Sequence, residues 1–276
     1  MPKLPIGDVF AEIIYFLSDA LRELFDLIRL VVMSVVEGIE AALDFVPFWG
    51  VAILIAVLAY FLSGKGLALF SFAGVFLIAN MGLWDQTIST LAIIITSTMI
   101  SLLVGIPVGI LSAKFEPANK VIRPVLDFMQ TMPAFVYLIP AVFFFRLGVV
   151  PASIATIIFS MPPAIRLTNL GIRQVPEELI EAGHSFGANW HQMLFKIQLP
   201  QAMPTIMAGI NQCIMLSLSM VVISSMIGGA GLGSVVLSGL SNLDIGKGFE
   251  GGLAVVIIAI ILDRLTQGKS RKKDEA

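Results

Sequence analysis

Apolar residues occur in long runs along the chain, and these runs predict membrane-spanning helices. The runs cover about residues 47–63, 66–84, 87–112, 130–146, 149–165, 202–227 and 250–264. Several approach the roughly 20 residues that a helix needs to cross a bilayer. Hydrophobic residues make up 57% of the 276 positions and charged residues 13%, a balance atypical of a soluble domain. The sequence therefore predicts an all-α integral membrane protein with about seven spans, partnered by the lipid bilayer and by no nucleic acid.

The segment before these runs has a different pattern, because its charges recur on one helical face. They are Asp8, Glu12, Asp19, Arg22, Glu23, Asp26, Arg29, Glu37, Glu40 and Asp44, and at about 100° per residue they fall within an arc of about 120°. We expect residues 1–45 to form one long amphipathic helix, with a bend at Gly38. Such a helix lies at the interface or against protein, since crossing would place charge in hydrocarbon. Its acidic face favours packing on protein over binding to anionic lipid; a solvated stripe resting on the spans is the alternative.

The distribution of Lys and Arg predicts the orientation, since cytoplasmic loops carry the excess of both. Under this span assignment, twelve of the 17 Lys and Arg residues fall on one side. They include Lys114 and Lys120 in one loop and the basic tail at 268–276. The loop containing Glu181 and the C-terminus are therefore expected in the cytoplasm, and the N-terminal helix outside. One miscounted span would move that helix inside.

Residues Glu181 to Pro200 form a polar, helix-forming segment between two apolar runs. Pro176 and the two acids after it predict a helix start, Gly187 predicts a sharp turn, and Pro200 predicts the end of a second short helix. Residues 177–200 are thus expected to form a helix, a turn and a helix outside the bilayer. The alternative is a plain amphipathic connector.

The spacing E-A-x-(x)3-G-(x)9-I-x-L-P in this segment resembles the cytoplasmic coupling loop of bacterial ATP-binding-cassette (ABC) importer permeases. The positions that carry the resemblance are Glu181, Ala182, Gly183, Gly187, Ile197, Leu199 and Pro200. Gly183 stands where the family often has a second alanine. The resemblance implies that these residues couple a permease to its ATPase.

Longer strings are similar to one branch of these importers, the glycine betaine and proline betaine permeases of osmoprotection. They include residues 127–140, 209–212 and 229–233, and the likeness covers about residues 46–267, the expected permease domain. It implies a homodimer of this chain, two copies of an ABC ATPase and a separate extracytoplasmic substrate-binding protein. It also implies a multi-pass location in the bacterial cell (inner) membrane.

Nucleotide and metal chemistry are not expected in this chain. No G-x-x-x-x-G-K-[ST] phosphate loop occurs in it, so ATP and Mg are expected on the partner ATPase. The two histidines, His184 and His191, lie seven residues apart with no cysteine or acid pair to complete a metal site. We interpret them as loop surface. No catalytic residue is predicted, and the chain is interpreted as a transport subunit, not an enzyme.

A betaine carries a methylated cation that aromatic faces can hold, and amides at membrane depth are costly unless they pair or line a cavity. We therefore predict a translocation path along the dimer axis, lined by residues 130–137 and 211–220. The candidates are Gln130, Thr131, Phe135, Tyr137, Asn211, Gln212, Ser217 and Met220. Ordinary core or lipid-facing positions are the alternative for the aromatic residues.

The sequence thus indicates the permease subunit of an ATP-driven importer of glycine betaine or a related quaternary-ammonium solute. A permease for choline, carnitine or an amino acid is the first alternative. A secondary transporter is another, and it would need acids inside the membrane; Asp127 and Asp263 lie near predicted cytoplasmic ends. A membrane scaffold is the third.

Overall fold

A computed structural model describes the backbone of residues 6–274, and the side chains within it apart from those at positions 6, 9, 10, 13 and 268–274. Within residues 6–274 the secondary structure consists of helices and turns, and no β-strand occurs there. The helices are α1 (Ile6–Ala20), α2 (Arg22–Asp44), α3 (Phe48–Ser63), α4 (Lys65–Asn80), α5 (Trp84–Lys114), α6 (Glu116–Thr131), α7 (Leu138–Phe145), α8 (Val149–Arg173), α9 (Glu177–Ser185), α10 (Trp190–Gln192), α11 (Leu199–Ser224), α12 (Leu232–Ser241) and α13 (Ile245–Asp274). A π-helical turn occupies Met193–Gln198, and 3₁₀ turns occupy Ala134–Tyr137 and Ser225–Ile227.

Four helices of the described chain are long and apolar enough to cross a membrane: α5, α8, the continuous helix from Trp190 to Ile227, and α13. Two bent pairs, α2 with α3 and α6 with α7, raise the number to six if each counts as one span. This roughly fits the predicted seven. The difference arises in short segments, since α3 and α4 have 16 residues each.

Prolines mark both bent pairs. Pro47 precedes α3 where the chain turns by 96°, and Pro133 precedes the 3₁₀ turn where it turns by 110°. Proline contributes no N–H to a helical ladder, so each helix can end and restart in a new direction. The predicted span at 130–146 is therefore the end of α6, one 3₁₀ turn and the eight-residue α7.

The N-terminal amphipathic segment forms two helices instead of the one that we expected. The chain leaves helical geometry at Leu21, with φ −113° and ψ 21°, and α2 then continues through Gly38. The helix is not interrupted at Gly38, where we expected a bend. Val32 of α2 is buried in the main core beside α5 residues, and the Ser89 hydroxyl donates to the Glu40 carboxylate at 2.5 Å. The apolar side of α2 thus rests on a neighbouring span, while acids such as Glu37 remain exposed.

Helices α5, α8 and α11 form the centre of the molecule and approach one another at small residues. A Cβ atom added at Gly109 of α5 would lie 2.6 Å from Thr168 Cβ and 2.8 Å from the carbonyl oxygen of Ile165, both on α8. Hydroxyl groups add polar contacts between spans, such as Ser101 with Ser160 at 3.1 Å. Lipid provides little hydrophobic drive for helix association, so close backbone packing and such hydrogen bonds hold these spans together.

A valine at Gly109 is expected to destabilise the folded permease, because no rotamer removes its Cβ from the α8 backbone. Overpacking of this kind costs about 1–3 kcal/mol or more. The check is thermal unfolding of the purified chain in detergent. Gly66→Val is the matched control, since nothing lies within 4 Å of a Cβ at Gly66. Equal thermal stability of the two variants would show that the α5–α8 contact is not tight.

Helix α12 was not predicted, because its ten residues are too few to stand out as a span. It begins after a glycine-rich string whose Gly231 has φ 104°, outside the range that most side chains adopt. The Leu232 N–H donates to the Thr90 hydroxyl of α5 at 2.8 Å, which fixes the start of α12 against that span. Last in the chain, the backbone of α13 continues into the predicted tail at 268–276, whose side chains lie outside the described residues.

Candidate coupling site

A helix, a turn and a second helix connect α8 to α11 at one end of the molecule. Helix α9 starts directly after Pro176, where the sequence predicted it, and carries Glu177 and Glu178 in its first turn. Both acids are exposed at the end of the helix dipole that favours negative charge. The segment at 177–200 is called the coupling loop below. Its first helix is therefore started by residues at its own N-terminus.

The turn of the coupling loop is closed by two backbone hydrogen bonds around Gly187. The Gly187 N–H donates to the His184 carbonyl at 2.9 Å, and the Ala188 N–H donates to the Gly183 carbonyl at 3.0 Å. This is the Schellman pattern at a helix C-terminus, which needs a left-handed residue. Gly187 supplies it with φ 75°. The predicted role of Gly187 as the turn residue agrees with this geometry.

The second helix of the coupling loop starts with a capping box. The Asn189 side chain accepts from the Gln192 N–H at 2.9 Å, and the Gln192 side chain accepts from the Asn189 N–H at 3.0 Å. Reciprocal bonds of this type satisfy two donors that a helix start leaves unpaired. Both sides of the turn are thus fixed by hydrogen bonds.

The second helix does not end at Pro200, so that part of the prediction is wrong. It passes through the π-helical turn at 193–198 into α11, and the continuous helix runs from Trp190 to Ile227. Pro200 brings no N–H for the carbonyl one turn earlier. The wider π turn lies directly before it and is where the helix accommodates that missing bond. The second arm of the coupling loop is therefore continuous with a helix long and apolar enough to cross a membrane.

The two arms of the loop pack on each other at Gly183. A Cβ atom there would lie 2.7 Å from Met193 Cε and 2.7 Å from Ile197 Cδ1, so Gly183 lets the arms approach. Met193 is buried and Ile197 half-buried. Leu194 and the half-buried Leu199 join a core cluster between α5, α8 and α11. The loop is thus a compact unit attached to the spans.

The outer face of the loop presents exposed side chains. Glu181, Ala182 and Pro200 are exposed, and Phe186, directly before the turn glycine, is 91% exposed. Sequence reasoning missed Phe186, because it falls at an unspecified position of the E-A-x-(x)3-G spacing. The available signal was a large apolar residue at the tip of an otherwise polar loop.

The histidines agree with their interpretation as loop surface, and the ring of His191 meets Trp190 edge-on at 4.8 Å. Both His184 and His191 are exposed. Among the residues that the structure describes, no group of three or more His, Cys, Asp or Glu side chains is placed to hold a metal ion.

The candidate path residues fall into two sets. Gln130, Thr131, Phe135 and Gln212 are exposed on the surface of the single chain, whereas Tyr137, Ser217 and Met220 are buried and Asn211 is half-buried. Tyr137 and Met220 share one apolar cluster. The structure thus brings those two together inside the chain.

Hydrogen bonds within the chain satisfy the buried polar candidates. The Tyr137 hydroxyl donates to the Met129 carbonyl, and Ser217 accepts from the Thr98 hydroxyl at 3.2 Å.

Asn211 is paired with helix α13. Its amide donates to Asp263 at 3.2 Å and accepts from the Thr266 hydroxyl at 2.6 Å. The pairing explains how an amide and a carboxylate are accommodated beside the spans.

Apolar spans packed through small residues, with a helix-turn-helix unit at one end, are the architecture of an integral membrane protein. The chain belongs to the family of binding-protein-dependent transport system inner membrane components, whose sequence profile matches residues 105–271. It is an integral membrane subunit of an ABC importer and not an enzyme, since ATP hydrolysis in these systems belongs to a separate component.

Several bacterial relatives match almost the whole chain. The glycine betaine transport system permease protein OpuAB of Bacillus subtilis is 48% identical, over 99% of this chain and 97% of its own length. The glycine betaine/carnitine transport permease protein GbuB of Listeria monocytogenes is 46% identical, over 99% and 98%. ProW of Escherichia coli, a glycine betaine/proline betaine permease protein, is 47% identical, over 97% and 76%. The resemblance to the betaine branch is thereby confirmed.

A solved structure supports the same fold. An inward-facing form of the MetNI methionine ABC transporter superposes with a TM-score of 0.62, covering 67% of this chain and 92% of that chain at 18% identity. The predicted ABC permease fold is confirmed.

Proposed function

We propose that this chain is the permease subunit of an ATP-driven importer for glycine betaine or a related quaternary-ammonium solute used in osmoprotection. The observation that carries the proposal is the identity of 46–48% to permeases named for glycine betaine, over 97–99% of this chain. The polar and aromatic side chains exposed on the spans supply a wall along which such a solute can pass.

The coupling loop faces the cytoplasm and docks on the ATPase, which binds ATP and Mg. Glu181, Ala182 and Phe186 form the docking surface, because all three are exposed and none is needed for internal packing. Gly183, Gly187, Ile197, Leu199 and Pro200 keep the loop in shape. The basic residues support this orientation, since Lys114, Arg173 and Lys196 all lie at the end of the molecule that carries the loop.

Two copies of the chain form the translocation path, with two ATPase subunits on the cytoplasmic side and a substrate-binding protein on the other. The exposed side of α11 supports this assembly, since Gln212 and Ser219 lie there on a span between half-buried apolar residues. Lipid cannot satisfy an amide. A second copy or a hydrated path can.

The exposed candidates line this path, and the buried candidates support it. Gln130, Thr131 and Gln212 are the polar partners in the path, and Phe135 offers an aromatic face to a methylated cation. Tyr137, Ser217 and Met220 support that wall from inside the chain, and Asn211 fixes α11 to α13.

Competition for uptake tests the solute class. In proteoliposomes with the complete complex and internal ATP, unlabelled proline betaine and carnitine are expected to inhibit uptake of labelled glycine betaine, because they keep the methylated cation and the carboxylate. Glycine at the same concentration is expected to leave uptake unchanged, since its ammonium group is strongly hydrated. Inhibition by choline alone would indicate a choline permease, and inhibition by unmethylated amino acids would contradict the proposal.

A further inference from the structure

The corner between α5 and α6 contacts the chain at two places: just before the coupling loop, at Arg173, and within its second arm, at Trp190. The corner comprises residues 112–119, from the last turn of α5 to the first turn of α6. The corner lies about 70 residues before Trp190 in sequence, and most of α6 together with α7, α8 and α9 lies between them. Its contacts with the loop are therefore made by the tertiary fold.

On the incoming side, Arg173 at the end of α8 is held by the corner. Its Nη2 atom donates to the Ser112 carbonyl at 3.1 Å and to Glu116 Oε2 at 2.8 Å. Nearby, Asn169 donates to the Ser112 hydroxyl at 2.6 Å. The hydrogen bond from Arg173 is the main reason that the pKa of Glu116 is lowered from its ordinary value. A glutamate is ionised at neutral pH, so both members of this pair carry charge there.

On the outgoing side, Lys114 lies over the first residue of the second loop helix. Its Nζ atom is 3.6 Å from the centre of the Trp190 ring and 4.8 Å from that of Phe115. These distances are within the range of a cation–π interaction. Lys114 is the last residue of α5, so this contact joins the end of a long span to the loop.

Helix α5 can carry a displacement from the corner into the membrane. It is continuous over 31 residues and contacts α8 at Gly109 and α11 through the Thr98 to Ser217 hydrogen bond. Leu194 of the loop and Ile110 of α5 also belong to one apolar cluster. A shift of the loop at Trp190 therefore acts on α5 as well as on α11.

We propose that Lys114 is a positioning residue that makes α5 move together with the coupling loop, with Arg173 holding the corner to α8, so that ATP-driven displacement reaches the central spans α5 and α11 at once. This inference rests on the proposed docking of the loop on the ATPase. A static brace would use the same contacts to keep the fold stable. The two roles predict different losses when the contact is removed. If Lys114 transmits movement, the amount of solute imported per ATP hydrolysed falls. If it only stabilises the fold, the amount of assembled complex falls instead.

The test uses the complete complex in proteoliposomes and compares Lys114→Met with Lys114→Arg. The methionine variant is expected to lower the amount of glycine betaine imported per ATP hydrolysed by about fivefold, since a cation–π contact is lost. The arginine variant should retain coupling, because a guanidinium group also stacks on aromatic rings. Lys65→Met is the matched control, removing an exposed lysine that lies outside the loop and the corner.

A double variant with Trp190→Leu shows whether both residues act through one contact. If they do, the double variant should import no less glycine betaine per ATP hydrolysed than either single variant. An unchanged import per ATP in Lys114→Met would overturn the proposal, and so would a loss of assembled complex that accounts for all lost import. If the parent complex imports no glycine betaine, the solute assignment is wrong but the proposal about Lys114 can still be tested. Stimulation of ATP hydrolysis by the binding protein then serves as the measurement of coupling.

Discussion

Replacing Gly187 with valine is expected to abolish ATP-driven uptake while leaving the permease folded in the membrane. Gly187 has φ 75°, and nothing lies within 4 Å of a Cβ built there. The penalty is therefore confined to the backbone, at about 1–2 kcal/mol for a left-handed residue, with more for a β-branched one. The chain can relieve it by opening the two hydrogen bonds of the turn, which would redirect Phe186. Uptake of labelled solute and the elution volume of the purified permease measure the two effects.

Gly187→Asn is the matched control, since asparagine tolerates left-handed geometry better than other residues with a side chain. It should keep most of the uptake. Undiminished uptake by Gly187→Val would show that coupling does not require the turn. A valine variant that failed to fold would contradict the expectation that only the loop is affected.

Replacing Phe186 with aspartate is expected to remove the ATPase from the purified complex. The side chain is 91% exposed, so the change creates no cavity within the chain. A large aromatic anchor at the centre of an interface commonly contributes 2 kcal/mol or more, and about 1.4 kcal/mol corresponds to tenfold in affinity. We therefore expect at least a tenfold weaker association, measured by titrating the ATPase onto the permease in nanodiscs.

Phe45→Asp controls for the general effect of replacing an exposed phenylalanine with a charge. Phe45 is 89% exposed and lies between α2 and α3, outside the coupling loop. Its substitution should leave ATPase association unchanged. Parental affinity of the Phe186→Asp variant would place the docking surface elsewhere on the chain.

Local sequence rules predicted most of the coupling loop because its signals act within a few residues. Pro176 starts a helix and Gly187 makes the turn, and both depend only on the backbone of their neighbours. Pro200 was predicted to end a helix, because a proline usually ends a helix that no neighbouring structure stabilises. Here α11 continues into the membrane, where an unpaired backbone is costly, and the π turn before Pro200 keeps the helix continuous.

Hydropathy predicted the long spans, since α5, α8 and α13 each contain a stretch apolar enough to cross a membrane. It did not predict the break at Leu21, which interrupts an amphipathic segment without changing its composition. Hydropathy also did not distinguish the buried path candidates from the exposed ones. Ser217 is buried because Thr98 provides its hydrogen bond from another span, and such pairings are not visible in one sequence.

We expect this permease to move a betaine only when its coupling loop receives work from a separate ATPase. Accumulation of labelled glycine betaine in proteoliposomes, against a concentration gradient and with the binding protein supplied on the outside, measures this dependence. Accumulation is expected when both the ATPase and internal ATP are present, and none when either is omitted. Accumulation without the ATPase, driven by an imposed ion gradient, would contradict it and identify a secondary transporter.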